Sequence, residues 1–247
     1  MSFLVVTGIV TRYANYREND RILTLFTQEM GRVDAKARGC RKAKSPLLAC
    51  SQPFVFGVFQ LYEAKDRYIV DQCEIRESFY PLREDIDRYS AGSVMLSLSL
   101  QAVQERQPNP ELFSLLYHGL SFLCYGENSP VDLALCFTTR FLAAAGVGPS
   151  VTACARCGAD LRPFSRLRFL AEAGGALCPA CGAGEGVPVS SLTLEAMRRM
   201  LLLEDAGMGR VRLPDSVRRE LFEVLESSCA ALLDRECKPL SSLRALL

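Results

Sequence analysis

The sequence predicts an α+β multidomain protein. A strand-built N-terminal domain covers residues 1–80. A helical domain covers residues 81–247 and is interrupted by a cysteine-bearing module at residues 151–188. Three observations carry this. Short alternating segments fill the first 80 residues. The apolar period changes to a helical one from Asp85. Two Cys-x-x-Cys pairs then stand twenty residues apart.

Five strands are expected. Phe3 to Tyr13 is rich in Val, Ile, Thr and Tyr, and Arg21 to Thr27 alternates Ile22, Thr24 and Phe26 against Leu23 and Leu25. Arg32 to Arg38 alternates strictly, with Arg32, Asp34, Lys36 and Arg38 opposite Val33, Ala35 and Ala37. Pro53 to Tyr62 and Tyr68 to Ile75 complete a small barrel or sandwich. Between the third and fourth strands, Lys42 to Cys50 is expected to hold a short helix. After Asp85, residues Ile86, Tyr89, Val94, Leu98 and Ala102 recur at helical spacing and stop before Pro108. Asn109-Pro110-Glu111 reads as a helix start: cap, proline in the first turn, acid at the positive end of the dipole. Ser129-Pro130-Val131-Asp132 repeats the signal and opens a helix towards Ala145. Two more helices are expected, from Leu192 to Glu204 and from Pro214 through Val217, Leu221, Val224, Leu225 and Leu232.

Cys154, Cys157, Cys178 and Cys181 match the paired pattern of a metal site. A two-residue gap lets a tight turn aim both thiolates at one ion. Gly158 and Gly182 each follow the second cysteine of a pair, where positive φ is often required. Four thiolates close a tetrahedron, so the expected ion is one structural zinc. Cys40, Cys50, Cys73, Cys124, Cys136, Cys229 and Cys237 lack ligand spacing and read as small hydrophobes.

Net charge is only +1, so partners are not read from the whole chain. Locally, Arg32, Lys36, Arg38, Arg41, Lys42 and Lys44 crowd together with only Asp34 opposing them. Such a strand and loop can serve as a track for phosphates or as a plain solvated face. If all six met the phosphates of a single strand, the log–log salt slope would be about −4. Phe54, Phe56, Tyr62 and Tyr68 are the nearby aromatics, and most read as core. Arg156, Arg162, Arg166 and Arg168 leave the same two readings open beside the cysteines.

Other chemistry is excluded or weak. No GxxxxGK[ST] loop and no G-x-S-x-G elbow occurs. Gly182-Ala-Gly184-Glu-Gly186 reads as the turn leaving the second cysteine pair. His118 is the only histidine and has no obvious charged partner in sequence, so a structural role is expected. No catalytic group is assigned, and the chain is not expected to be an enzyme. Met1 to Tyr13 lacks the basic start of a secretory signal, and no apolar run reaches the length of a membrane span. With eleven scattered cysteines, a reducing cytoplasm is expected.

Several stretches, taken in order, resemble the RecO family of bacterial recombination mediators. They are Tyr16-Arg17-Glu18-Asn19-Asp20 leading into Leu23-Thr24-Leu25-Phe26-Thr27 and Gly31, then Ala37-Arg38-Gly39-Cys40-Arg41-Lys42-Ala43-Lys44-Ser45, then Glu77-Ser78-Phe79-Tyr80-Pro81-Leu82-Arg83-Glu84-Asp85, and last the two cysteine pairs. The resemblance implies an OB-type barrel, a helical domain and an embedded zinc module. It implies binding of single- and double-stranded DNA, annealing of complementary strands, and loading of RecA on DNA coated by single-strand-binding protein. It implies RecR and the acidic C-terminal tail of single-strand-binding protein as partners, no nucleotide cofactor, and a place in the cytoplasm with the nucleoid. An acidic peptide would call for an apolar groove flanked by Arg or Lys among the helices. The alternative is a zinc-containing protein–protein adaptor whose basic face is incidental.

Overall fold

The computed structural model describes residues 3–64, 67–233 and 238–247. Cys237 lies outside the described residues. The N-terminal strands are β1 (Phe3–Tyr16), β2 (Asp20–Thr27), β3 (Gly31–Ala37), β4 (Phe56–Ala64) and β5 (Arg67–Glu77). They close a barrel in the order β1-β2-β3-β5-β4. Every neighbouring pair is antiparallel except β3 and β5, which run parallel and meet only at Ala35↔Tyr68 and Lys36↔Ile69. This is a five-stranded barrel of the OB type, as expected.

Alternation decides what each strand buries. Val33, Ala35 and Ala37 of β3 point into the barrel with Val6, Leu23, Leu25 and Phe59, while Arg32, Asp34 and Lys36 point out. The other face of β2 does not meet water. Phe26 is fully buried and packs edge-on against Phe113 of α2 (Pro110–Tyr125) at 5.2 Å between ring centroids. Ile9, Phe54 and Phe79 join the same helical core. One side of the barrel is therefore apolar within and without, which glues it to the helices.

Lys42 to Cys50 is a run of turns, not the expected helix. Ser45 N–H donates to Lys42 O (2.9 Å) and Leu48 N–H to Ser45 O (3.1 Å). Pro46 offers no N–H and pushes Ser45 out of helical backbone, so the turns do not merge. Leu47 and Cys50 fold inward onto the barrel core.

The helices are α1 (Ile86–Ala102), α2, α3 (Pro130–Ala144), α4 (Ser191–Leu202) and α5 (Asp215–Leu233). Asp85 caps α1 by accepting from Asp87 N and Arg88 N, and Asn109 caps α2 by accepting from Leu112 N. Ser129 makes no such bond at α3, where Pro130 and Asp132 hold the first turn instead. Asp132 is fully buried and takes Arg218 of α5 at 2.7 Å, tying α3 to α5. Barrel and helices also share backbone bonds: Arg32 N–H to Gln104 O (3.1 Å) and Arg106 N–H to Met30 O (2.9 Å). Gly31 sits in this joint with φ +64°, and a Cβ there would meet Gln107 O at 2.3 Å.

Residues 151–190 hold a three-stranded sheet that no sequence signal marked: β6 (Arg166–Leu170), β7 (Gly175–Leu177) and β8 (Val187–Ser190), in the order β7-β6-β8. Leu161, Leu167, Phe169, Leu177 and Val189 of this module are buried and continuous with the helical core. Glu220 of α5 braces it, accepting from Ser190 N (2.8 Å), Ser190 Oγ (2.7 Å) and Thr193 Oγ1 (2.6 Å). No helix among the described residues is long and apolar enough to cross a membrane.

Candidate nucleic-acid interface and metal centre

The four cysteines converge. Every pair of their Sγ atoms lies within 4.8 Å, and Cys157 Sγ stands 3.8 Å from Cys178 Sγ. A tetrahedron with metal–sulfur bonds of about 2.3 Å has edges of about 3.8 Å, so the donor set fits one tetrahedral ion. The two turns are alike: Gly158 N–H donates to Cys154 O (2.8 Å) and Gly182 N–H to Cys178 O (2.9 Å). Gly158 has φ +74° as expected, whereas Gly182 has no positive φ. Gly182 is crowded instead: a Cβ there would come within 3.1 Å of Arg168 Cβ.

The thiols are poised unequally. Burial opposes charge on Cys154, but the backbone N–H groups of Cys178, Cys157 and Arg156 outweigh it and bring its pKa to about 6. Cys181 is pushed up to about 12, first by its hydrogen bond with Cys157 and then by Cys178 and burial. Four sulfurs this close do not share negative charge without a cation among them. The neighbouring arginines are largely committed. Arg156 pairs with Glu185 at 2.7 Å, Arg162 pairs with Asp160 at 2.7 Å, and Arg168 holds the carbonyls of Glu185 and Gly186. Arg166 is exposed.

The basic stretch divides in two. Arg32 is tied to Asp34 at 2.8 Å and Lys36 to Asp20 at 2.9 Å. Asp20 was not among the opposing charges read from the sequence. It is held below the usual carboxylate range, first by Gly39 N–H and then by Lys36. Arg38 lies just past the end of β3, and with Arg41, Lys42 and Lys44 it is fully outward. Arg41 donates to Glu18 O at 2.9 Å, and none of these four meets a carboxylate among the described residues.

Of these four, Arg38 lines a cleft of about 1420 Å³ along the outer face of β3, facing β5 where the two strands barely pair; Asp34 and Glu105 line it too. Arg17, Arg67 and Arg106 also line it and came from outside the sequence-predicted stretch. Of the four expected aromatics only Tyr68 lines the cleft. Phe54 is buried, Phe56 packs on Tyr117 at 5.0 Å, and Tyr62 packs on Phe3 at 5.6 Å. The aromatic that sequence reasoning missed is Tyr16, 40% exposed, with Lys36 Nζ at 4.7 Å and Arg17 at 5.4 Å from its ring. Its signal was available, since Tyr16 precedes the Arg17–Asp20 turn at a strand end.

His118 does have charged neighbours. Its Nδ1 is 2.9 Å from Ser114 O and 3.7 Å from Asp205 Oδ2, while Arg140 holds Asp205 at 2.8 Å. Asp205 and Arg140 come from elements other than the His118 helix, so no local pattern announced them.

Comparison with known proteins agrees with this architecture. The sequence model described as Recombination protein O N terminal matches residues 1–79, and that described as Recombination protein O C terminal matches residues 83–240. This chain belongs to the RecO family. A DNA repair protein RecO of Acetivibrio thermocellus is 29% identical over 100% of this chain and 98% of its own length. Those of Symbiobacterium thermophilum and of Desulfitobacterium hafniense strain DCB-2 are each 33% identical. They cover 96% and 94% of this chain and 95% and 85% of their own lengths.

Proposed function

We propose that this RecO-family chain is a non-enzymatic recombination mediator. In this reading it binds single- and double-stranded DNA, anneals complementary strands, and with RecR helps load RecA onto DNA coated by single-strand-binding protein. One observation carries the reading: a barrel-face cleft lined by Arg17, Arg38, Arg67 and Arg106, next to a loop whose Arg41, Lys42 and Lys44 are exposed and meet no carboxylate among the described residues. Phosphates track the cations of Arg17, Arg38, Arg41, Lys42, Lys44 and Arg67, while Tyr16 and Tyr68 offer ring faces to bases. Arg32 and Lys36 are neutralised by their carboxylates and act at the cleft floor. Binding and annealing form no covalent bond, so no catalytic group is called for.

Zinc is the proposed ion of the four-cysteine site. When bound it supplies folding energy and no open position for chemistry. The chain's own part is to hold the sulfurs: two matched turns, with the Cys154 thiolate cradled by backbone N–H groups.

The tail of single-strand-binding protein is proposed to bind the groove between α4 and the 205–217 segment. Leu192, Met200, Leu203 and Val217 supply its apolar wall and Arg210 and Arg212 rim it, while Arg199 is held by Glu195 of the same groove at 2.7 Å. That suits an acidic peptide with an apolar end.

The test is annealing of complementary oligonucleotides coated with single-strand-binding protein. The reading expects acceleration by the full-length chain. No acceleration, together with no binding to single strands, would overturn it.

A further inference from the structure

A second cleft, of about 720 Å³, lies between β1 and α1. Its α1 wall is a stripe at four-residue spacing, Tyr89, Ser93 and Ser97. The serines keep the wall open, and neither hydroxyl makes a hydrogen bond within the described residues. Its β1 wall presents Arg12 and Tyr13. Tyr13 is 37% exposed, and Arg21 stacks on its ring at 3.8 Å, while Tyr89 is 40% exposed and edge-packed on Phe54. No carboxylate is among the lining side chains.

Arg32 lines both this cleft and the barrel cleft. A cross-strand row of polar groups reaches it: Arg12 Nε donates to Thr24 Oγ1 (3.2 Å), Thr24 Oγ1 to Asp34 Oδ1 (2.5 Å), and Arg32 Nη2 to Asp34 Oδ2 (2.8 Å). Arg32 Nε is buried and makes no hydrogen bond. Thr24 in this row is buried, so the row lies beneath the junction of the two clefts, where Arg32 is shared. Both clefts offer the same recognition chemistry: guanidinium for phosphate, tyrosine ring for base.

We infer that the β1–α1 cleft holds a second single strand, the complement of the strand in the barrel cleft, so that annealing begins where the two clefts adjoin at Arg32. This rests on the proposed DNA-binding reading and deepens it. The two clefts share Arg32, and each has a guanidinium of its own for a backbone: Arg12 in the β1–α1 cleft, and Arg17, Arg38 and Arg67 in the barrel cleft.

The experiment compares the full chain with S93E/S97E, which places two carboxylates on the α1 wall at half-buried positions that do not line the barrel cleft. A labelled oligonucleotide measures single-strand affinity, and mixing with its complement measures the annealing rate. The expected result is single-strand affinity unchanged within about twofold and annealing slowed at least about tenfold, because two carboxylates would face the phosphates of the second strand. Unchanged annealing would overturn the inference and leave the barrel-cleft reading standing. Loss of single-strand affinity in step with annealing would overturn it too, since the cleft would then extend the first track. Failure of the unaltered chain to bind any single strand would remove the underlying reading, and the inference with it. Should S93E/S97E fold poorly by circular dichroism, Tyr89→Ala is read by the same two measurements and the same outcomes.

Discussion

Salt dependence of single-strand binding reports how many cations meet phosphate, and the structure sets the number. Six basic residues crowd the third strand and its loop, but Arg32 and Lys36 already face Asp34 and Asp20 at under 3 Å. That leaves Arg38, Arg41, Lys42 and Lys44. Each phosphate neutralised on a single strand contributes about −0.7 to the log–log slope, so these four give about −2.8. Affinity then falls about 50-fold between ~50 and ~200 mM salt, against about 300-fold if all six took part. Each of Arg17, Arg67 and Arg106 that also engages steepens the slope by about 0.7. Asp20→Asn supplies the internal control. Asparagine still accepts from Gly39 N–H, which holds Asp20 Oδ1 at 2.8 Å, but it releases the Lys36 charge. The slope should steepen by about 0.7 and low-salt affinity should rise. Fluorescence anisotropy of a labelled oligonucleotide over a salt series makes the measurement. A slope shallower than about −1, or no change in Asp20→Asn, would refute the accounting.

Other perturbations have defined outcomes. Cys154→Ala should lose the metal and unfold residues 151–190 first, because structural zinc supplies about 10–16 kcal/mol in peptide sites. Metal content and thermal melting check this, and a fully folded, metal-loaded variant would contradict it. Asp132→Ala leaves Arg218 without its buried partner and should cost about 3 kcal/mol in urea unfolding, at the low end for buried pairs since Arg218 is 27% exposed. For Glu220, burial works against the charge, but Thr193 and Ser190 outweigh it and lower the pKa. A lowered carboxylate pKa stabilises the fold above the unfolded value of about 4.3 and ceases to do so as pH falls through the folded value. E220Q should therefore be less stable at neutral pH and lose less stability on acidification below about pH 4.3. Gly31→Ala combines a φ of +64° with a 2.3 Å clash against Gln107 O. It should lower the melting temperature and loosen the barrel–helix joint, visible as faster amide exchange at Arg32 and Arg106.

What the sequence made legible was local. The strict alternation of Arg32 to Arg38 named the inside of β3 correctly up to Ala37, because one face of a barrel strand must be apolar. Asp85 and Asn109 announced their helices because capping uses residues adjacent in the chain. The cysteine pairs were readable because metal geometry fixes their spacing. What escaped depended on distance. Asp20 and Lys36 lie on neighbouring strands, and Arg17, Arg67 and Arg106 join one cleft only after the barrel closes. The second apolar face of β2, through Phe26, is explained by a helix far along the chain. β6, β7 and β8 are only five, three and four residues long, too short for periodicity to show. Gly182 was read as a φ requirement, but its φ is not positive and its crowding against Arg168 depends on the fold of the module.

The central claim is that the loop after β3 is where DNA is gripped, and a triple charge reversal tests it most directly. Arg38, Arg41 and Lys42 are exposed and pair with no carboxylate among the described residues, so Arg38→Glu, Arg41→Glu and Lys42→Glu together should leave the melting temperature nearly unchanged. Three lost phosphate contacts, with repulsion in their place, should reduce single-strand affinity at ~100 mM salt by at least about 100-fold. An intact, well-folded triple variant that binds single strands as tightly as the unaltered chain would contradict the account.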